Sequence, residues 1–198
     1  LLYLRQNFEV SMLEAFNITN VELGQCYSML GVLFVATYLP SGWLADKFTP
    51  RVLLTFSLAA TGALGAWYWT LPSFAALQVI FAGWGITTGL TFWAALIKET
   101  TLLAGHDQQG RFFGILEGGR GVVEAVLASI AVAGFAWMLS SPDAGAPGAL
   151  QQVILMYVVI LFVMAPVTWF ALGDINHDQD QALESEHTDN LADIKLLS

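Results

Sequence analysis

The chain has 198 residues, of which 56% are hydrophobic and only 12% are charged, and its formal net charge is −9. Soluble domains carry about 25% charged residues, so this composition excludes an ordinary soluble protein. Much of the negative charge lies in residues 174–198, and the nearly balanced remainder implies no nucleic-acid partner. The single cysteine, Cys26, excludes an internal disulfide.

Apolar runs long enough to cross a hydrocarbon core of about 30 Å recur along the chain. The predicted spans are residues 1–16 (a first span without its start), 21–45, 52–70, 74–97, 111–139 and 150–173. The turn at residues 17–20 is predicted to supply an Asn or Thr cap for the second helix. Pro40 is predicted to kink that helix near its end. The chain opens without Met inside an apolar run, so we expect a fragment that has lost its beginning.

The charges of the loops predict how the bundle is oriented. The lysines and arginines of two loops would lie at one face: Lys47, Arg51, Lys98 and Arg111. The loops at the opposite face, residues 17–21, 70–73 and 140–149, carry neither lysine nor arginine. The positive-inside rule therefore places the first face in the cytoplasm. After an even number of spans, residues 174–198 are expected to form a flexible, acidic cytoplasmic segment.

Two clusters of ionisable residues lie inside predicted spans, where each charge is costly. Arg5 and Glu9 are one helical turn apart in the first span. Glu117, Arg120 and Glu124 lie on one face of the fifth span, because spacings of three and four residues stack side chains. With a rise of about 1.5 Å per residue, Arg120 is expected near the middle of the membrane.

Two interpretations of these charges stay open. They either pair with one another and fix helix packing, or face a water-filled cavity and bind a solute. In the second case each arginine offers a planar fork to a carboxylate or phosphate. The three acids would then tune the charge of the arginines or carry a proton. The glycines around Arg120 would let a neighbouring helix or a ligand approach closely.

The loop at residues 42–51 carries the pattern Gly-x-Leu-Ala-Asp-Lys-Phe-x-x-Arg between the second and third spans. This pattern resembles the signature loop of the major facilitator superfamily of secondary transporters. The resemblance implies that residues 1–173 form an N-terminal six-helix bundle, paired with a C-terminal six-helix half that is missing here.

Within this loop, Gly42 is expected to permit close helix packing. Asp46 is expected to accept from free amides of the third helix and to pair with Arg51. The resemblance implies that the loop, including Lys47, acts as a cytoplasmic latch between the two halves.

A second segment, Arg5-Gln6-Asn7-Phe8, resembles the Arg-x-Asn-Phe segment of the organophosphate:phosphate antiporter branch. The resemblance implies that Arg5 is a ligand of a substrate phosphate. An alignment of the fifth spans places Arg120 where that branch has a substrate-contacting histidine. Tyr38 stands where that branch carries a lysine. This difference and the three added acids favour proton coupling or a sugar-type solute.

The sequence therefore predicts an all-α, polytopic protein of the bacterial inner membrane. Its predicted function is secondary active transport, by alternating access, of a small polar solute. An anionic solute is favoured, such as an organophosphate, a sugar acid or a sulfonated sugar, with a proton or phosphate as the coupling ion. The alternative is a non-transporting membrane sensor of the same fold. No nucleophile motif or metal cluster predicts an enzyme or a cofactor, and the pair His106-Asp107 lacks further metal ligands.

Overall fold

The computed structural model describes residues 2–104, 108–140 and 145–196, with side chains described as far as Gly173. The helices are α1 Leu4–Phe16, α2 Asn20–Lys47, α3 Pro50–Trp69, α4 Phe74–Ile86, α5 Trp93–Ala104, α6 Gln109–Leu139 and α7 Ala146–Leu196, with a π-helical segment Thr87–Phe92 between α4 and α5. Among the described residues, five stretches are long and apolar enough to span a membrane: α2, α3, Phe74–Ala104, α6 and Ala146–Gly173. The prediction of an all-α polytopic membrane protein is therefore confirmed.

The junction between α1 and α2 follows from its local sequence. Asn17 adopts the left-handed conformation (φ 50°) that ends α1, and asparagine tolerates this conformation better than most residues. The Oγ1 atom of Thr19 accepts from the Glu22 amide at 3.2 Å, and the Thr19 amide donates to the Glu22 carboxylate at 2.8 Å. This reciprocal capping box satisfies two free helix-end donors, so the predicted N-cap is confirmed.

The core of the bundle is built where α1 meets the aromatic residues of α3 and α4. Leu4, Phe8, Met12 and Phe16 recur every four residues on one face of α1, and all four are buried. Phe16 lies 4.6 Å from the Tyr68 ring, measured between ring centroids. The buried side of α1 therefore packs inward, and its other side is left to face cavities.

The fourth span packs tightly on α2 because Gly85 has no side chain that would separate the two helices. A Cβ atom placed on Gly85 would lie 2.5 Å from the Leu30 carbonyl oxygen. The π-helical segment follows directly, and the Ser57 hydroxyl of α3 donates to the Thr87 carbonyl at 3.0 Å. A π turn loosens the regular ladder of helix hydrogen bonds, and this contact from a neighbouring helix supplies a partner for one of its carbonyls.

Two helices end well beyond the predicted spans. The fourth-span helix continues to Ala104 instead of ending at residue 97, and α7 runs from Ala146 to Leu196 instead of ending at residue 173. Hydropathy marks where a chain leaves the hydrocarbon, whereas helical hydrogen bonding can continue in water. His106 and Asp107, and the side chains of residues 174–198, lie outside the described residues, so the cytoplasmic location of the acidic segment stays a prediction.

Candidate functional site

The signature loop makes contacts that differ from those predicted. Gly42 is exposed, and a Cβ atom added to it would meet nothing within 4 Å, so it mediates no close packing in the described part of the chain. Asp46 is also exposed, and neither an ion pair with Arg51 nor a bond to the amides of α3 is found between these described residues. Pro50 at the start of α3 lacks an amide hydrogen, which removes one of the donors that Asp46 was expected to satisfy.

Arg51 packs instead against α7. Its guanidinium carbon lies 3.9 Å from the centroid of the Trp169 ring. A Cβ atom on Gly173 would lie 2.9 Å from the same guanidinium carbon, so the absent side chain makes room for the arginine. Lys47 lies over Trp43, with its Nζ atom 4.1 Å from the ring centroid. Both cations of the loop thus make cation–π contacts with aromatic rings and do not pair with Asp46.

A second contact fixes the same end of the bundle. The Nζ atom of Lys98 donates to the Ala45 carbonyl oxygen at 2.6 Å. A cation is favourable at the C-terminal end of a helix, where carbonyl groups lack partners within the helix. The end of the fourth span is therefore tied to the last turns of α2, beside the signature loop.

Arg5 lies in a network at the side of α1 that faces α2. Its Nη2 atom is 3.1 Å from a carboxylate oxygen of Glu9 and 3.1 Å from the amide oxygen of Asn20. Its guanidinium carbon also lies 5.5 Å from the centroid of the Tyr27 ring. The side chains of Arg5 and Glu9 are both 36% exposed. They line a cavity of about 530 Å³ together with Gln6 and Tyr27.

Arg120 lies in α6, on the other side of α1. Its Nη2 atom donates to the Glu117 carboxylate, and the two side chains are 45% and 50% exposed. Its guanidinium carbon is 5.4 Å from the centroid of the Trp93 ring. Arg120 therefore pairs with Glu117 and not with Glu124, the direction that the tilt of helical side chains toward the N-terminus favours. Arg5 pairs in the other direction, with Glu9, across the non-helical Phe8 of α1. Glu124 forms no ion pair with any residue that the structure describes.

The cavity beside Arg120 has a volume of about 600 Å³ and lies between α1 and α6. Its walls are mostly apolar. Its polar lining residues are Tyr3, Gln6, Asn7, Arg120, Glu124 and Tyr157. Tyr3 and Gln6 also line the cavity of Arg5. The two predicted clusters therefore lie in adjacent cavities that meet at the beginning of α1, and not in one shared pocket.

Tyr38 does not join either cluster. It is 44% exposed, its ring is stacked at 6.0 Å from that of Phe34, and it lines neither of the two cavities. Asn20 and Tyr27 were not predicted to lie at this site, although their spacing of seven residues places them on one face of α2 toward Arg5. Tyr157 was not predicted either, although its hydroxyl interrupts an otherwise apolar run in α7.

Comparisons with known proteins place the chain in a family. The sequence model of the Major Facilitator Superfamily matches residues 7–195. The inner membrane protein YqcE of Escherichia coli (strain K12) is 33% identical over 196 residues, which cover 98% of this chain and 45% of YqcE. The inner membrane protein YihN of the same strain is 33% identical over 171 residues, or 86% of this chain and 39% of YihN.

An uncharacterized MG294 homolog of Mycoplasma pneumoniae is 35% identical over 115 residues, or 53% of this chain and 24% of that protein. No solved structure matches the chain. The chain spans less than half the length of YqcE and YihN. The organophosphate:phosphate antiporter branch is not confirmed by these relatives and stays a prediction. Because the family model covers nearly all of its residues, the chain belongs to the Major Facilitator Superfamily.

Proposed function

We propose that this chain is the N-terminal bundle of a secondary active transporter in the bacterial inner membrane. Its cargo would be a small polar, anionic organic solute. Membership of the Major Facilitator Superfamily supports transport in general. We infer an anionic solute from Arg120. It is a permanent cation inside the fifth span, it lines a cavity, and its side chain is 45% exposed.

The depth of Arg120 makes a purely structural role costly. Arg120 lies about 16 Å along the axis from Gln109, the first residue of α6. Insertion of an arginine near the centre of a span costs roughly 2.5–3.5 kcal/mol. The pair with Glu117 offsets part of this cost, but it uses only one of the five N–H donors of a guanidinium. The remaining donors can bind a carboxylate, phosphate or sulfonate in the fork geometry that arginine prefers.

The cavity fits a small solute with a carbon skeleton. Its volume of about 600 Å³ is within the range of about 300–1,000 Å³ common for ligand sites. Gln6 and Asn7 offer amides for hydroxyl groups, while apolar residues such as Leu116 and Leu127 can contact the skeleton. This combination supports an organophosphate, a sugar acid or a sulfonated sugar.

The exposure of α6 supports a second bundle as partner. Ala131 is the only buried residue of α6, all of whose residues the structure describes, although the most apolar 18-residue window of the helix has a mean hydropathy of 2.1. Lipid and a further bundle would cover such a surface. We propose that a C-terminal half closes over the cavity and that the two halves rock to expose it to either side. Solute binding would shift the balance between these states.

The test is uptake by the full-length protein in proteoliposomes. Radiolabelled glucose 6-phosphate, glucuronate and a sulfonated hexose serve as probes, and we expect at least one to accumulate. Arg120→Ala should lower its initial uptake rate by about 10- to 100-fold, since a hydrogen bond between charged groups contributes about 1.5–3 kcal/mol.

Arg111→Ala is the matched control. Arg111 is an exposed arginine of the same helix and does not line the cavity, so we expect less than about a twofold change, as for most surface substitutions. Equal uptake by wild type and Arg120→Ala would refute the role of Arg120. Binding without accumulation would favour the membrane sensor.

A further inference from the structure

Arg120 is held by two contacts of different kinds. Its Nη2 atom donates to Glu117, one turn away on the same helix. Its guanidinium carbon lies 5.4 Å from the centroid of the Trp93 ring in α5, within the range of a cation–π contact. We propose that Trp93 is a positioning residue, which holds the guanidinium of Arg120 at the wall of the cavity. This inference rests on the proposed function, because Arg120 is the residue that would bind the solute.

The contact with Trp93 connects Arg120 to a second helix. Glu117 belongs to α6 itself and its side chain is 50% exposed, so the two paired side chains can move together. Arginine loses considerable rotamer freedom when its charge is fixed in one place. Among the described residues, Trp93 is the only group of another helix that forms a hydrogen bond, an ion pair or a cation–π contact with Arg120. A half-buried tryptophan has only two side-chain torsions, so it is a rigid support.

The π-helical segment fixes the position of Trp93. The Trp93 amide donates to the Thr88 carbonyl and closes the last turn of this segment. Gly89 lies so near α2 that a Cβ atom would be 2.6 Å from the Phe34 carbonyl oxygen. The Ser57 hydroxyl of α3 donates to the first residue of the same segment. The backbone that leads into Trp93 is therefore held by two neighbouring helices.

Phe92 supports the indole ring and separates it from the cavity. The two rings are nearly perpendicular, with an interplanar angle of 89° and centroids 6.0 Å apart, which is a favourable edge-to-face arrangement. Phe92 lines the cavity, whereas Trp93 does not. Trp93 would therefore act on the solute through Arg120 and not by direct contact.

An aromatic ring can hold a guanidinium without competing with an anionic solute. The ring attracts the cation through the negative face of its π-system, so it supplies no carboxylate to the N–H donors. A second acid in the place of Trp93 would occupy donors that the solute needs. Trp93 thus leaves the remaining part of the Arg120 fork to a carboxylate, phosphate or sulfonate.

Uptake kinetics of the full-length protein in proteoliposomes test this role. With the probe that accumulates, Trp93→Leu should raise KM about tenfold, within the range expected for a cation–π contact, while Vmax stays within about twofold. Trp93→Phe keeps an aromatic ring and should restore most of the affinity.

Trp137→Leu is the matched control, because Trp137 is an exposed tryptophan of α6 without a cation–π contact among the described residues. Its KM should equal that of wild type. Equal KM values for wild type and Trp93→Leu would overturn the proposal, as would a Trp93→Phe variant as impaired as Trp93→Leu.

Fluorine NMR tests the contact itself without any solute. The sample is the full-length protein labelled with 5-fluorotryptophan in detergent, and the signal that is missing in Trp93→Phe belongs to Trp93. We expect Arg120→Ala to shift this signal and the control Arg111→Ala to leave it in place. A Trp93 signal that does not respond to Arg120→Ala overturns the proposal, even if Trp93→Leu fails to fold.

The two experiments also separate this inference from the proposed function. If a probe accumulates but neither its KM nor the Trp93 signal responds to substitution, positioning by Trp93 fails while transport stands. If the signal responds to Arg120→Ala but no probe accumulates, the proposed function fails while the positioning of Arg120 stands.

Discussion

Arg5 and Arg120 differ in how much of their hydrogen-bonding capacity the bundle uses. Arg5 donates to both Glu9 and Asn20 and faces the Tyr27 ring, so it joins the beginning of α1 to α2. Arg120 donates only to Glu117, a residue of its own helix. Arg5 therefore combines a structural role with any contact to solute, whereas Arg120 is available mainly to the cavity.

This difference predicts that substitution of Arg5 lowers the stability of the protein more than substitution of Arg120. Arg5→Ala should lower the free energy of unfolding by about 1 kcal/mol, since its partly exposed bonds are each of modest strength. For a protein of this size or larger, that corresponds to a fall in Tm of about 2–4 °C or less. Arg120→Ala should leave Tm nearly unchanged. Thermal unfolding of the full-length protein in detergent measures both, and a larger loss for Arg120→Ala would contradict this assignment.

The contact between α2 and the fourth span depends on Gly85, whose role only the three-dimensional structure shows. Gly85 meets the Leu30 carbonyl oxygen of α2 so closely that a Cβ atom would lie 2.5 Å from it. The obstacle is backbone, which cannot move aside as a flexible side chain can. The junction of α2 with the fourth span thus requires glycine at this position.

Gly85→Ala is therefore expected to destabilise the bundle by overpacking, at a cost of about 1–3 kcal/mol. Gly24→Ala is the control, because a Cβ atom there would meet nothing within 4 Å, and alanine favours a helix by about 1 kcal/mol over glycine. Thermal unfolding should give a lower Tm for the first variant and an equal or higher Tm for the second. Equal Tm values would show that α2 shifts away at little cost.

The sequence predicted those features that depend on local patterns. Hydropathy located the spans, and the capping box of Thr19 and Glu22 lies within four residues. The sequence could not choose between Glu117 and Glu124 as the partner of Arg120, since spacings of three and four residues are both favourable. The structure pairs Arg120 with Glu117. The π-helical segment and the Arg51–Trp169 contact were not predictable, because each depends on a helix distant in the chain.

At the scale of the whole molecule, the signature loop connects to the last helix as well as to its neighbours. Arg51 lies on Trp169 and beside Gly173, immediately before the acidic segment. Lys98 binds the end of α2 at the same end of the bundle. Two of the cations that predict the cytoplasmic face thus also join α3 to α7 and α5 to α2 there. The predicted orientation in the membrane and the observed packing of the bundle therefore involve the same residues.

This orientation predicts which loops a membrane-impermeant thiol reagent can reach in intact bacterial cells. Ser73→Cys, in the loop without lysine or arginine, should react in intact cells, because that loop is expected outside the cytoplasm. Thr49→Cys, in the signature loop, should react only after the membrane is permeabilised. Both positions are exposed, whereas the native Cys26 is fully buried and should stay unlabelled in the parent protein. Labelling of Thr49→Cys but not Ser73→Cys in intact cells would invert the bundle. The acidic segment would then lie outside, and a latch at the signature loop could not be cytoplasmic.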